Sequence, residues 1–241
     1  MPTHRKTITI VQYNAHASRD TVLVEFLRRM EETEDRPMVI AIQEPWRPQS
    51  RNTTTATPSY YLAHADIPDV RTCFYINKEI ALSDWEIQVH SKDLCTLLLR
   101  LQDRTVQIHN LYNPQPRGHT AELPGLFTPG HEHMLVGDFN LHHPLWGGER
   151  VVAVEDEAAE LVRVTRAAGL QLTTERGIET WRRNHQRTTI DLAFTSRWLT
   201  ERVLQCQIKD SWHTDSDHWP VLTEFDIQPP EAMEPPGRPL W

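Results

Sequence analysis

The chain has 241 residues, 39% of them hydrophobic, and a formal net charge of −8. This length buries the core of one large domain or two small ones, and the acidic balance argues against a general nucleic-acid coat. It leaves room for a local basic patch, because charges farther apart than a Debye length of ~10 Å at 0.1 M salt are largely screened.

No apolar run approaches the ~20 residues that span a bilayer, and the first residues lack the apolar core of a signal peptide. The three cysteines, Cys73, Cys95 and Cys206, have no CxxC spacing. They speak against a disulfide framework or structural zinc and for a reducing compartment. Thr7 to Asn14 alternates like a strand. Arg19 to Glu32 sets Val22, Leu23, Phe26, Leu27 and Met30 on one helical face. Met38 to Gln43 is a short apolar run ending at Glu44-Pro45, and since proline cannot continue a central strand, Glu44 falls at a strand's exit. Residues 48 to 60, rich in Thr, Ser, Asn and Pro, predict a loop.

Further strands are predicted at Cys73 to Asn77, Cys95 to Leu101 and Val106 to Leu111, the last closed by Tyr112-Asn113-Pro114. Residues 113 to 130 hold four prolines and three glycines and predict a long loop with at most a short helix. Met134 to Val136 leads into Gly137-Asp138-Phe139-Asn140. A second helix is predicted over Glu155 to Ala168, with Glu155, Asp156 and Glu157 at its positive end and Gly169 at its stop. Strands follow at Thr188 to Phe194, Val203 to Ile208 and Val221 to Phe225. Many strands, two clear helices and no strict βαβ alternation predict a four-layered α/β sandwich of two packed, mainly antiparallel sheets flanked by helices. It occupies residues 1–227 as one domain, and the proline-rich residues 228–241 read as a linker or tail.

Two strings carry chemistry: Gly137-Asp138-Phe139-Asn140 and Ser216-Asp217-His218-Trp219-Pro220-Val221. Each sets acids, amides or a histidine beside a strand end, the parts needed to hold a hard cation and cut a phosphodiester. By contrast, His131-x-His133 and His142-His143 lack zinc spacing. Thr180 to Thr188 reads as a hairpin with an arginine-rich tip, Arg182, Arg183 and Arg187.

In chain order, Asn14, Gln43-Glu44, Tyr112, Asp138-x-Asn140, Asp191 and Ser216-Asp217-His218 resemble the endonuclease/exonuclease/phosphatase superfamily, over about residues 7 to 226. The run from Gly137 to Gly148 and Thr188-Thr189-Ile190-Asp191-Leu192 are similar to endonuclease domains of non-LTR retrotransposon polyproteins in particular. Two positions depart from family patterns. His16 stands where repair endonucleases carry an acid, and Gln115 follows Pro114 where many retrotransposon endonucleases carry asparagine.

The resemblance implies a DNase-I-like fold and a Mg²⁺-dependent endonuclease, with Mn²⁺ able to substitute. Its role would be to nick double-stranded chromosomal DNA in the nucleus, leaving a 3'-hydroxyl that primes reverse transcription. A reverse transcriptase domain would follow residue 241, and no membrane is involved. The alternatives are an abasic-site repair endonuclease, an inositol or lipid phosphatase, or a decayed DNA-binding relic.

Residue by residue, the resemblance makes Glu44 the first metal ligand and Asp217 a second ligand or a brace. Asp138 activates water or handles a leaving-group proton. Asn140 and Asn14 donate to phosphate oxygens, and Tyr112 points its hydroxyl at phosphate. His218 lies over the scissile phosphate, oriented by Asp191. Thr180, Arg182, Arg183, Arg187 and Ser216 contact phosphate or DNA.

Overall fold

Successive side chains of β1 (Thr7–Asn14) point to opposite faces, and the two faces meet different partners. Ile8 and Ile10 enter a core between two sheets, whereas Val11 and Tyr13 pack against the apolar stripe of α1 (Asp20–Glu32). The computed structural model describes residues 7–17, 20–48, 53–115 and 118–227. The proline-rich tail expected over 228–241, and Arg19 at the expected helix start, lie outside the described residues.

The sheet built on β1 also contains β2 (Val39–Gln43), β3 (Tyr60–His64), β4 (Thr72–Asn77), β13 (Val203–Ile208) and β14 (Val221–Asp226). Their order is β13-β14-β1-β2-β4-β3. The second sheet contains β5 (Trp85–Ser91), β6 (Leu94–Arg100), β7 (Thr105–Tyr112), β8 (Glu132–Asp138), β9 (Leu170–Leu172) and β12 (Asp191–Ser196). Its order is β5-β6-β7-β8-β12-β9. Only the β1–β2 and β7–β8 pairs are parallel; the other neighbours in these sheets are antiparallel. A separate hairpin joins β10 (Trp181–Arg183) to β11 (Gln186–Thr188).

Helix α1 covers one outer face, and Ala158, Leu161 and Val162 of α3 (Asp156–Ala167) cover the other, packing on Leu111, Leu135, Leu192 and Phe194. The predicted four-layered, DNase-I-like sandwich is therefore what the chain forms. Two one-turn helices, α2 (Pro144–Gly147) and α4 (Arg197–Thr200), add to the two predicted ones. The strands β3, β5 and β9 were not expected. The run from Thr188 to Phe194 is not one strand: the chain leaves β11 at Thr188 and enters β12 at Asp191.

What positions the site is a change of character along the inter-sheet face. Ile8 and Ile10 of β1 are followed on that face by Gln12 and Asn14, Val39 and Ala41 of β2 by Gln43, and Val106 and Ile108 of β7 by Asn110. Met134 and Val136 of β8 lead to Asp138, while β12 begins at Asp191 before Ala193. The parallel pairs align these ends: Asn14 lies opposite Gln43, and Tyr112 opposite Asp138. One end of the sandwich interior is thus dry and the other polar. Buried polar groups must be hydrogen-bonded, and here they bond across the sheets. Gln12 donates to Gln43 (2.7 Å) and to Asp191 (2.8 Å), and Gln43 donates to Asn110 (2.6 Å).

Candidate active site

Backbone constraints fix the strand exits. Gly137 has φ of 151°, and a Cβ there would lie 1.8 Å from the Leu111 carbonyl oxygen on the paired strand. Only glycine lets β7 and β8 pair this closely just before Asp138. Asn140 follows with φ of 50°, its backbone N–H donating to Asp138 Oδ1 at 3.0 Å, an Asx turn. Glu44 also has positive φ, 46°. It is pinned there because its N–H donates to the Arg71 carbonyl and its own carbonyl accepts from Ala17, both at 2.8 Å. Unusual backbone of this kind concentrates at functional sites.

Asp191 and His218 form the buried heart of the site, at 0% and 4% exposure. His218 Nδ1 donates to Asp191 Oδ2 at 2.9 Å, and the other carboxylate oxygen accepts from Gln12. The imidazole is therefore oriented with Nε2 toward Asp138 and Asp217, 3.8 Å from an oxygen of each. Burial pulls His218 down, but the Asp191 and Asp138 carboxylates outweigh it and push it up to about 9. Burial pushes Asp138 up to about 7, against the pull of His218.

Around Asp138, the Asn14 side-chain amide donates to Asp138 Oδ2 (2.8 Å) and to Glu44 Oε2 (3.3 Å), and Asn14 Oδ1 accepts from the His16 N–H (2.7 Å). Asn14 is fully buried, so it spaces the two carboxylates and has no free face for a phosphate oxygen. The Asn140 amide donates to Asp138 Oδ2 (3.1 Å) and to the Asn113 carbonyl (3.2 Å). Thr180 and Ser216 also face inward. The Thr180 hydroxyl, 0% exposed, accepts from the Ile190 and Asp191 N–H groups at 3.1 and 3.0 Å. Ser216 Oγ donates to the Asn14 carbonyl (2.8 Å) and accepts from the His218 N–H (3.1 Å). Both hydroxyls hold the Asp191 and His218 segments in register, a task that spacing in the sequence does not reveal.

Two carboxylate arrangements could hold a cation. Ligand atoms of Asp138, Asp191 and His218 lie within 4.8 Å of one another, but Asp191 already uses one oxygen on His218 and the other on Gln12. Glu44, Asp138 and Asp217 line one cleft instead, and Asp217 Oδ1 is buried without a hydrogen-bond partner. An orphaned buried carboxylate oxygen beside two more acids fits a hard divalent cation, which takes oxygen ligands. His16 Nδ1 is nearby, 3.5 Å from Asp217 and 4.0 Å from Glu44.

The cleft has a volume of about 690 Å³ and is walled on one side by Tyr112, Asp138 and Asn140 and on the other by the β10–β11 hairpin. Burial and the neighbouring Glu44 carboxylate raise the Tyr112 hydroxyl well above its usual range, so it is a neutral donor. The guanidinium of Arg71 sits 4.7 Å over the Tyr112 ring and is paired with the buried Asp93.

The hairpin is stitched to the histidine segment. Trp181 bridges His218, Arg182 N–H donates to the Asp217 carbonyl, and Trp219 N–H donates to the Thr180 carbonyl, the last two at 2.8 Å. Arg183 is exposed into the cleft. Arg187 bonds Glu179 at 3.1 Å, and Arg182 lies 3.3 Å from the same carboxylate while stacking on Trp219 at 4.3 Å. The sequence reading missed Gln12, Asn110, Arg150 and Glu179 and gave Gln43 no role of its own. Gln12, Gln43 and Asn110 were signalled by polar residues at the inward positions of otherwise apolar strands. Of the histidines set aside as zinc ligands, His133 is stacked on His109 at 5.4 Å and His142 is bonded to Glu155 at 2.9 Å.

Residues 106–222 match the family model described as Endonuclease-reverse transcriptase. No curated protein matches the chain. Among solved structures, the endonuclease domain of TRAS1, a telomere-specific non-LTR retrotransposon, is similar with a TM-score of 0.74 at 13% identity, covering 93% of this chain and 100% of that one. The AP endonuclease LMAP from Leishmania major gives 0.69 at 12% identity, over 95% of this chain and 93% of that one. The 3'-5' exonuclease NExo from Neisseria meningitidis gives 0.64 at 13% identity, over 91% and 100%. These likenesses show the shared fold, and the family match, over slightly less than half of the chain, takes in Asp138, Asp191 and His218.

Proposed function

We propose that the protein is the endonuclease portion of a retrotransposon polyprotein, nicking double-stranded DNA in a Mg²⁺-dependent reaction that Mn²⁺ also supports. The observation that carries this reading is the buried Asp191–His218 pair opening at Nε2 onto a cleft that holds an orphaned carboxylate oxygen and ends in an arginine-bearing hairpin. The description of the family model, which joins an endonuclease to a reverse transcriptase, supports the polyprotein context.

Glu44 and Asp217, with Asp138 beside them, would hold the cation. When bound there, the ion neutralises phosphoryl oxygens and the departing 3' oxygen. The chain's own residues do the rest. His218, protonated near neutral pH, donates from Nε2 to a phosphoryl oxygen as negative charge develops, and Asp191 keeps its ring in place. Asp138, beside Nε2, accepts a proton from the attacking water. Asn14 keeps the Asp138 and Glu44 carboxylates apart and aimed. Tyr112, a neutral phenol, donates to phosphate. In-line attack by water leaves a 5' phosphate and a 3' oxygen that takes a proton from solvent to become the 3' hydroxyl. A reverse transcriptase in the same polyprotein extends that end, which places the reaction on chromosomal DNA in the nucleus.

The test is to incubate supercoiled plasmid with Mg²⁺ or EDTA and then offer the nicks to a polymerase. Open circles formed only with metal and extended without end repair support the reading. Nicks that need phosphatase treatment before extension contradict it, and a strong preference for abasic over matched intact duplexes would assign repair instead.

A further inference from the structure

One carboxylate in the cleft gathers three guanidinium groups. Glu179 accepts hydrogen bonds from Arg150 and Arg187, and Arg182 lies 3.3 Å away. Arg150 comes from outside the hairpin, on the turn that follows α2. Helix α2 itself docks on the segment before Glu179: Gly177 N–H donates to the Trp146 carbonyl (2.7 Å), and Arg176 Nε donates to the Pro144 carbonyl (3.1 Å). Gly148 and Gly177 both have positive φ, 68° and 83°, and they abut, a Cβ on Gly148 lying 3.6 Å from Gly177 Cα. Positive φ, rather than crowding, favours glycine at both positions, since a Cβ on Gly177 would meet nothing within 4 Å. Arg150 then lines the same cleft as Asp138 and His218, its side chain 66% exposed.

We propose that Arg150 is a phosphate-binding residue of the DNA cleft, positioned by Glu179, so that the nucleic-acid surface has a second arm on the 144–150 turn beside the hairpin. The proposal rests on the DNA-nicking reading above. Three guanidinium groups on one carboxylate leave a local charge of +2. Each guanidinium has five N–H donors in a rigid fork, so donors remain on Arg150 and Arg187 for a phosphate after Glu179 has taken one from each. Without Glu179 the cations would repel one another and splay. Its carboxylate therefore assembles the phosphate site, although it subtracts one charge.

The test is duplex-DNA binding by fluorescence anisotropy in EDTA, across a salt series. Each phosphate contact contributes about 0.9 to the slope of log affinity against log salt, so Arg150→Ala should flatten the slope by about that amount and weaken binding. Arg163→Ala, an exposed arginine on α3 paired with Glu160, should leave both unchanged. Glu179→Gln should weaken binding, opposite to what removing a negative charge does by simple attraction. In that background Arg150→Ala should cost less than half its effect in the wild type. If the wild type binds and nicks duplex DNA while Arg150→Ala keeps its slope and affinity, or if Glu179→Gln binds tighter, the second arm is refuted and the nuclease reading stands. If the wild type neither binds nor nicks duplex DNA, both fall.

Discussion

Asp191 and His218 are 27 residues apart in sequence and joined by a 2.9 Å hydrogen bond, and Asp191 is itself held from behind by Gln12. The carboxylate touches neither solvent nor the cleft. Its effect on phosphodiester chemistry must pass through the imidazole. Asp191→Asn should therefore lower kcat with little change in KM, the signature of an interaction made mainly in the transition state. Steady-state nicking kinetics check this; a rise in KM alone would assign Asp191 another role.

Removing the reacting groups should be more severe. Asp138→Ala and His218→Ala should each reduce nicking by ~10²- to 10⁴-fold, the usual contribution of a positioned acid or base. Glu44→Ala should abolish Mg²⁺-supported nicking, and EDTA should do the same to the wild type. Circular dichroism should show the fold retained, since Glu44 lies on a partly exposed bend outside the strands. Wild-type rates in any two of these variants would end this assignment.

The His218 pair also gives stability a pH signature. The folded imidazole is raised to about 9, against about 6.5 for an unperturbed histidine. A raised folded value means the stabilisation is complete below about 6.5 and is lost as pH rises through about 9. Asp138, raised to about 7 by burial, gives its own loss earlier, from about 4 upward. The melting temperature of metal-free protein should fall between pH 6.5 and 9 more steeply for the wild type than for Asp191→Asn. Parallel melting curves across that range would contradict the pairing.

Thr180 offers a test that separates holding the site from touching the substrate. Thr180→Val keeps the shape but leaves the Ile190 and Asp191 N–H groups without an acceptor. A buried unsatisfied donor costs roughly 1–3 kcal/mol, so denaturant unfolding should show a loss of that order with duplex affinity little changed. Unchanged stability with weakened DNA binding would instead make Thr180 a contact residue.

In the hairpin, replacing Arg182, Arg183 and Arg187 by alanine should flatten the salt slope of duplex binding by up to about two to three units. Arg182→Ala should contribute the smallest single share, because Arg182 is stacked on Trp219 as well as held beside Glu179. Three equal shares would show that the Trp219 stack does not persist on DNA.

Most of the layered fold was legible because strand runs such as Thr7 to Asn14 and the α1 stripe set their apolar residues at the spacing of the faces they bury. The strand β5 escaped notice because it is an edge strand with four exposed residues, so its Trp85, Ile87 and Val89 do not form a closed apolar face. The motif residues Asp138, Asp191 and His218 were legible, since each sits at a strand end or next to one. The tasks of Asn14, Thr180 and Ser216 were not. A side chain that organises a carboxylate and one that grips a phosphate are the same residue type at the same strand exit, and only burial and bonding partners separate them.

The bridge between Trp181 and His218 bears on how such an enzyme could change its habits over generations. Substitutions at the tip lie beyond the bonded root and leave the imidazole segment undisturbed, His185 being freer than Asn184, whose positive φ of 55° favours asparagine or glycine. Substitutions at the root would tilt the segment that carries the imidazole. Variation among descendants should therefore gather at the apex and thin out toward the base, over a distance of only three residues on each strand.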